Sequence, residues 1–162
     1  MIDLKETKNK IIKKENVYFL LIIFTIFVLD RYSKIQIIQD FSDKVFYLNN
    51  YINLDLMWNT GIGFGLLSSD SDLFYNIISA FIAIVIFFLI IFALKSDKFD
   101  KISFSIIIGG ALGNFYDRLI FNAVPDFIDL HYGNFHWFTF NIADIFITIG
   151  VIIYLLKGFK KS

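Results

Sequence analysis

The chain of 162 residues contains no cysteine, a single proline and only two histidines. Without cysteine there is no disulfide, no thiol nucleophile, no haem attachment and no cysteine-ligated zinc or iron–sulfur site. A serine nucleophile would want a G-x-S-x-G elbow, and none is present. His131 and His136 lie near Asp126 and Asp129, but neither H-E-x-x-H nor a variant of it occurs, so the spacing makes no case for a metal and calls for no cofactor. Charge is scarce too: 19% of residues carry one, fifteen cationic against fifteen anionic, which leaves no net charge to draw nucleic acid. What is abundant is apolar surface. Hydrophobic residues make up 57% of the chain and the mean hydropathy is +0.65, too apolar for a domain wetted on all sides, so lipid is the expected solvent.

About 20 helical residues cross roughly 30 Å of hydrocarbon, and four stretches qualify, at about 17–38, 73–94, 102–120 and 141–156. The expectation is an all-α membrane protein, a single domain over residues 1–162, with four transmembrane helices. Lys5, Lys8, Lys10, Lys13 and Lys14 precede the first stretch, Lys95, Lys98 and Lys101 lie between the second and third, and Lys157, Lys160 and Lys161 follow the fourth. Segment 39–72 holds only Lys44. The positive-inside rule therefore places both termini in the cytoplasm. A basic start before an apolar run also describes a secretory signal peptide, but Leu29-Asp30-Arg31-Tyr32 offers no small-residue cleavage site. The lysine-rich first fifteen residues read as a solvated tail. Segments 39–72 and 121–140, rich in aromatics, are expected along the outer membrane surface, the former extended and β-like over about residues 40–70.

Ionisable groups at membrane depth are costly and by default functional. Asp30 lies about 20 Å along the first helix from Val17 at 1.5 Å per residue, close to the outer side. Asp117 and Arg118 close the third span there and Asp144 opens the fourth. Structural readings exist for each. Asp30 and Lys34, four apart, can neutralise one another; Asn114 and Arg118 repeat that spacing, with Asp117 placed to orient the guanidinium. Gly109 and Gly113, reinforced by Gly110 and Ala111, form a small-residue face for close helix packing. The Gly-rich run from Asn59 through Thr60 and Gly61 to Gly65 is no phosphate cradle; its backbone suits a close approach to a ligand or strand, with Trp58 and Phe64 dipping into lipid.

Two carboxylates remain. Asp126, in Val124-Pro125-Asp126-Phe127, reads alone as a solvated turn residue, and Asp144 reads alone as part of a capping box with Asn141. Together they are two acids at one depth, with apolar neighbours and no cation evidently reserved for either. Carboxylates at hydrogen-bond distance do not both ionise comfortably, and a pair sharing a proton supplies acid and base for water attack on a peptide bond. Asp144, facing the positive end of a helix, is the expected ionised member and Asp126 the protonated one. Three classes fit a polar cluster at one side of four spans: a hydrolase, a small transporter or proton-coupled carrier with an acidic relay, and a non-catalytic assembly subunit. A relay would spread its charges through the membrane depth.

The run from Gly110 through Ala111, Leu112, Gly113, Asn114, Phe115, Tyr116 and Asp117 to Arg118, followed by Val124-Pro125-Asp126-Phe127 and by Phe140-Asn141-Ile142-Ala143-Asp144, resembles the signature of bacterial lipoprotein signal peptidase, the type II signal peptidase. Asp30-Arg31-Tyr32-Ser33-Lys34 and Asn59-Thr60-Gly61 with Phe64 look like further motifs of that family, in register over about residues 17–156. The resemblance implies an inner-membrane aspartyl endopeptidase. It would remove the signal peptide of a prolipoprotein just before its diacylglyceryl-modified cysteine, at the outer leaflet, and globomycin-like cyclic peptides would inhibit it. It implies Asp126 and Asp144 as the catalytic pair. Asn59, Gly61, Asn114, Arg118 and Asn141 would bind substrate backbone or support the pair, with Gly110 and Asp117 in the same supporting set and Asp30 with Lys34 bracing the site. Thr139 stands where the family commonly has proline, Pro125 before Asp126 is unusual, and Ile62-Gly63-Phe64-Gly65 replaces a run of small residues.

Overall fold

The computed structural model describes residues 14–42, 44–61 and 72–160. The lysine-rich start through residue 13, together with Phe64 and its neighbours in the Gly-rich run, lies outside them. Four helices are present among the described residues: α1 Lys14–Asp40, α2 Asp72–Lys95, α3 Lys98–Phe121 and α4 Ile142–Lys160. Each coincides with one of the apolar stretches, because long runs without proline leave the helix as the cheapest way to satisfy the backbone away from water. Asp97 starts α3 by accepting from the N–H groups of Phe99 (3.0 Å) and Asp100 (3.1 Å), and Asn122 ends it in the left-handed region at φ 53°.

Helix α3 is central and packs against α1, α2 and α4. Its glycines make this possible. A Cβ on Gly110 would stand 2.5 Å from the Ala143 carbonyl oxygen of α4, and one on Gly109 would stand 2.9 Å from Ile26 Cβ of α1. The small-residue face expected from the sequence is thus a pair of contact surfaces, one on each neighbouring helix. Ala93, Phe104, Ile107 and Ile108 form the buried core between α2 and α3.

Outside that core the helices present apolar side chains outward: Phe24, Phe81, Phe87 and Leu155 are all exposed. Tyr75–Lys95 and Ile142–Phe159 are long and apolar enough to cross a membrane, and only 17% and 11% of their most apolar 18-residue stretches are buried against protein. The core helix of a water-soluble protein would be mostly covered, so this surface suits lipid.

The sheet departs from expectation. Segment 39–72 does supply strands, β1 Phe46–Asn49 and β2 Ile52–Asn59, but segment 121–140, for which no strand was expected, supplies β3 Val124–Tyr132 and β4 Phe135–Phe140. The four form one antiparallel sheet in the order β1-β2-β3-β4. Strand β3 is buried on most of its residues, so its sequence lacks the apolar–polar alternation that announces a half-buried strand. The signal lay in the turn: Gly133-Asn134 between aromatic runs is a hairpin dipeptide, and Gly133 takes φ +59° there. Strand β4 pairs with β3 only from Ile128 onward, so at Pro125 the only ladder partner is Trp58 of β2 and a missing N–H is tolerated. Between Leu54 and Met57 strand β2 carries one extra residue, two facing Phe127 alone, a bulge next to the Met57–Asp126 pair of the kind that redirects a side chain.

At the far end of the bundle Lys157 of α4 pairs with Asp97 and Asp100, both at 2.6 Å. Polar groups thus occupy both ends of an apolar middle. Gly110→Ala is expected to lower the melting temperature in detergent, since α3 must move off α4 at a cost of about 1–3 kcal/mol. Gly158→Ala, where a Cβ meets nothing within 4 Å, is expected to be neutral or to gain up to about 1 kcal/mol. Equal melting temperatures for the two variants would contradict the close approach of α3 and α4.

Candidate active site

The polar cluster is built outward from Lys34. Its ammonium, fully buried, donates to Asp30 Oδ2 (2.8 Å) one turn back on α1 and to Asn114 Oδ1 (2.8 Å) and Asp117 Oδ2 (2.7 Å) on α3. Three donors meet three acceptors, which is what a buried ammonium requires. Arg31 pairs with the other oxygen of Asp117 and lies over the Tyr116 ring, 4.7 Å from its centroid. Two cations therefore balance two anions. Asp30 Oδ1 accepts from the Ala143 N–H (2.9 Å), so the same carboxylate satisfies a donor in the first turn of α4. Gly113 faces Asp30 with no room for a Cβ.

Asn114 passes this order on. A lysine only donates, so Asn114 must turn its oxygen to Lys34, and its Nδ2 then donates to Asp144 Oδ1 at 2.8 Å. Asp144 Oδ2 accepts from the Asn141 N–H (3.2 Å) while Asn141 Oδ1 accepts from the Asp144 N–H (3.1 Å). That is the reciprocal capping box read from the sequence. The free end of the Asn141 amide, Nδ2, donates to Asp126 Oδ1 at 2.5 Å. Asn59, at the end of β2, donates to Asp126 Oδ2 at 2.8 Å and accepts from the Gly61 N–H at 2.8 Å. Asp126 is 3% exposed on β3, which corrects the reading of it as a solvated turn residue. Burial first, and the charge of Asp144 second, push its carboxyl up to about 7, while the amides of Asn59 and Asn141 pull the other way.

Every sequence-predicted site residue falls in this one network except Gly110, which packs against α4. Two pairings differ from expectation. Asp117 does not make a hydrogen bond to Arg118; the i, i+1 positions diverge around the helix, and Asp117 turns to Arg31 and Lys34 on α1. Arg118 instead donates Nη2 to the Gly61 carbonyl (2.7 Å) and Nη1 to the Asn114 carbonyl (3.3 Å), so it holds Gly61 against α3. Arg31 was missed as a site residue. Its signal was available: a cation one residue from Asp30, in a chain with a third acid inside an apolar stretch, Asp117, to be neutralised. The described ionisable groups of the cluster gather at the end of the bundle that carries the sheet, not along the helices.

Known proteins resemble the chain over most of its length. Residues 22–160 match the family model for signal peptidase (SPase) II. The chain is 47% identical over 151 residues to the lipoprotein signal peptidase of Pelagibacter ubique (strain HTCC1062), covering 91% of each. It is 42% identical over 154 residues to that of Francisella tularensis subsp. novicida (strain U112), covering 90% of this chain and 94% of the relative. The fold is similar to a bacterial membrane enzyme solved by the in meso method at 1.9 Å resolution, with a TM-score of 0.74 and 30% identity over 90% of this chain and 94% of that one.

Lys34→Met leaves Asp30 and Asp117 buried with too little positive charge, and is expected to destabilise the protein by about 3–5 kcal/mol, read from its unfolding in detergent. A variant as stable as the parent would show that the ammonium does not hold the helices together.

Proposed function

The chain belongs to the signal peptidase II family of membrane proteases, and from that premise we propose that it cleaves diacylglyceryl-modified prolipoproteins immediately before the lipidated cysteine, with Asp126 and Asp144 activating the water. The observation that carries the reading is that one residue, Asn141, holds both acids, donating its side-chain amide to Asp126 and its backbone N–H to Asp144. Neither acid has a lysine or arginine hydrogen-bonded to it among the described residues, whereas Asp30 and Asp117 have theirs. Structural carboxylates are neutralised by cations; acids kept for proton transfer are held by neutral amides.

In this reading Asp144, at the start of α4 with N–H donors on both oxygens, is the anion and takes a proton from the water as its oxygen attacks the scissile carbonyl carbon. Asp126, neutral below about 7, protonates the carbonyl oxygen. Collapse of the tetrahedral diol breaks the C–N bond; the proton on Asp144 leaves with the cysteine amine, and a diol proton restores Asp126. The groove of about 420 Å³ lined by Met57, Asn59, Asp126, Asp129, His136 and Thr139 is proposed to receive the extended peptide.

The four helices are proposed to cross the bacterial cytoplasmic membrane with both termini on the cytoplasmic side. This rests on the lysines at the ends of the helices away from the sheet. The sheet and the acids then lie at the outer leaflet, where an exported lipidated precursor is met. Globomycin-like cyclic peptides are proposed to compete for the same groove.

Asp126→Asn and Asp144→Asn are each expected to lower turnover of modified precursor by about 10²–10⁴-fold or more; substantial residual turnover in either variant counts against the pair. Because the reacting state needs one proton on the pair, kcat/KM is expected to fall as pH rises through about 7. Asn59→Ala removes a donor that favours the charged carboxylate, so its alkaline limb is expected to move to higher pH. Purified protein cutting unmodified precursor as fast as the diacylglyceryl form would overturn the substrate assignment while leaving the protease standing.

A further inference from the structure

A second group of chemistry-bearing side chains meets on the sheet. Asp129 and His131 are two apart on β3 and so project from one face, and His136 lies directly opposite His131 in the β4 register. One ligand atom from each lies within 4.8 Å of the others. His136 Nδ1 is 2.8 Å and His131 Nδ1 3.7 Å from the same oxygen, Asp129 Oδ2, and the two imidazoles stack with centroids 5.3 Å apart. Bonds of about 2.0–2.2 Å in a tetrahedral site place ligand atoms roughly 3.3–3.6 Å apart, so little movement closes these three around an ion.

Two further observations point to a ligand. His131 Nδ1 is buried and has no hydrogen-bond partner among the described residues, although buried polar atoms are rarely left unsatisfied. Asn53, paired with Asp129 across β2 and β3, donates Nδ2 to Asp129 Oδ2 at 3.2 Å, the outer support that metal-binding carboxylates usually receive. His136 is exposed and offers a path of entry.

We propose that Asp129, His131 and His136 bind one divalent transition-metal ion of the zinc class. Two neutral imidazoles and a carboxylate favour such an ion over magnesium or calcium, and a fourth position remains for water. Asp129 and His136 also line the groove proposed for the peptide, so the ion would sit at its wall, and no step of the cleavage proposed above uses it. It ties β3 to β4, the hairpin with Asp126 near its start and Asn141 just past its end, and so stiffens the connection between the two acids.

The test uses the untagged full chain in detergent micelles, treated with chelator and desalted, then titrated with Zn²⁺ by calorimetry and with Co²⁺ by visible absorption. One ion per chain, the intense visible bands of tetrahedral Co²⁺ and a Zn²⁺-dependent rise in melting temperature are expected. His136→Gln, at an exposed position compatible with folding, is expected to weaken Zn²⁺ binding by at least about 100-fold, the upper range for loss of outer-sphere support alone. Asp126→Asn is expected to bind as the parent does. Absence of stoichiometric binding, parental affinity in His136→Gln, or loss of binding in Asp126→Asn would each overturn the proposal.

Discussion

A single buried ammonium organises the polar end of this molecule. Lys34 sits among apolar helices, where an uncompensated charge costs several kcal/mol, and it is tolerated because three oxygens from two helices converge on it. Its demand for acceptors orients Asn114, and through Asn114 the carboxylate of Asp144. Its partner Asp30 reaches past it to the Ala143 N–H and so docks the start of α4. Helices α1, α3 and α4 are thereby registered at the level where Asp144 must stand. Gly113, with no space for a side chain beside Asp30, lets α3 come that close.

The two proposed catalytic acids arrive on different kinds of element. Asp144 is fixed by a capping box inside a helix, whereas Asp126 rides on a strand beside a bulge, held by amides from β2 and from the start of α4. Rigid supports on both sides suit a reaction that needs a water held between two oxygens. Their surroundings differ as well. Burial and the neighbouring charge raise Asp126, while Asp144 has the helix N-terminus beside it. Arg118 contributes at one remove, by holding the carbonyl of Gly61, whose N–H donates to Asn59.

Much of the fold was legible in the chain. Apolar runs of helix-spanning length, free of proline, can do little but form helices in lipid, and the four observed helices fall where those runs fall. The capping box of Asn141 and Asp144 was legible because its period is that of one helical turn. The strands β3 and β4 were not read, because burial of most of β3 erases alternation, and only the Gly133-Asn134 turn marks them. Nor were the partners of Asp117, 83 and 86 positions away on α1, or the meeting of Asp129 with His131 and His136.

By itself, then, the order of residues determined the solvent, the helices and which side chains were too costly to be idle, because hydropathy and helical period act over one or two turns of chain. Which acid faces which cation, and that a strand acid and a helix acid are bound by one asparagine, was decided only when α1, α3, α4 and the sheet packed together. Those contacts depend on close helix approach and on strand register, and neither is written in any local stretch.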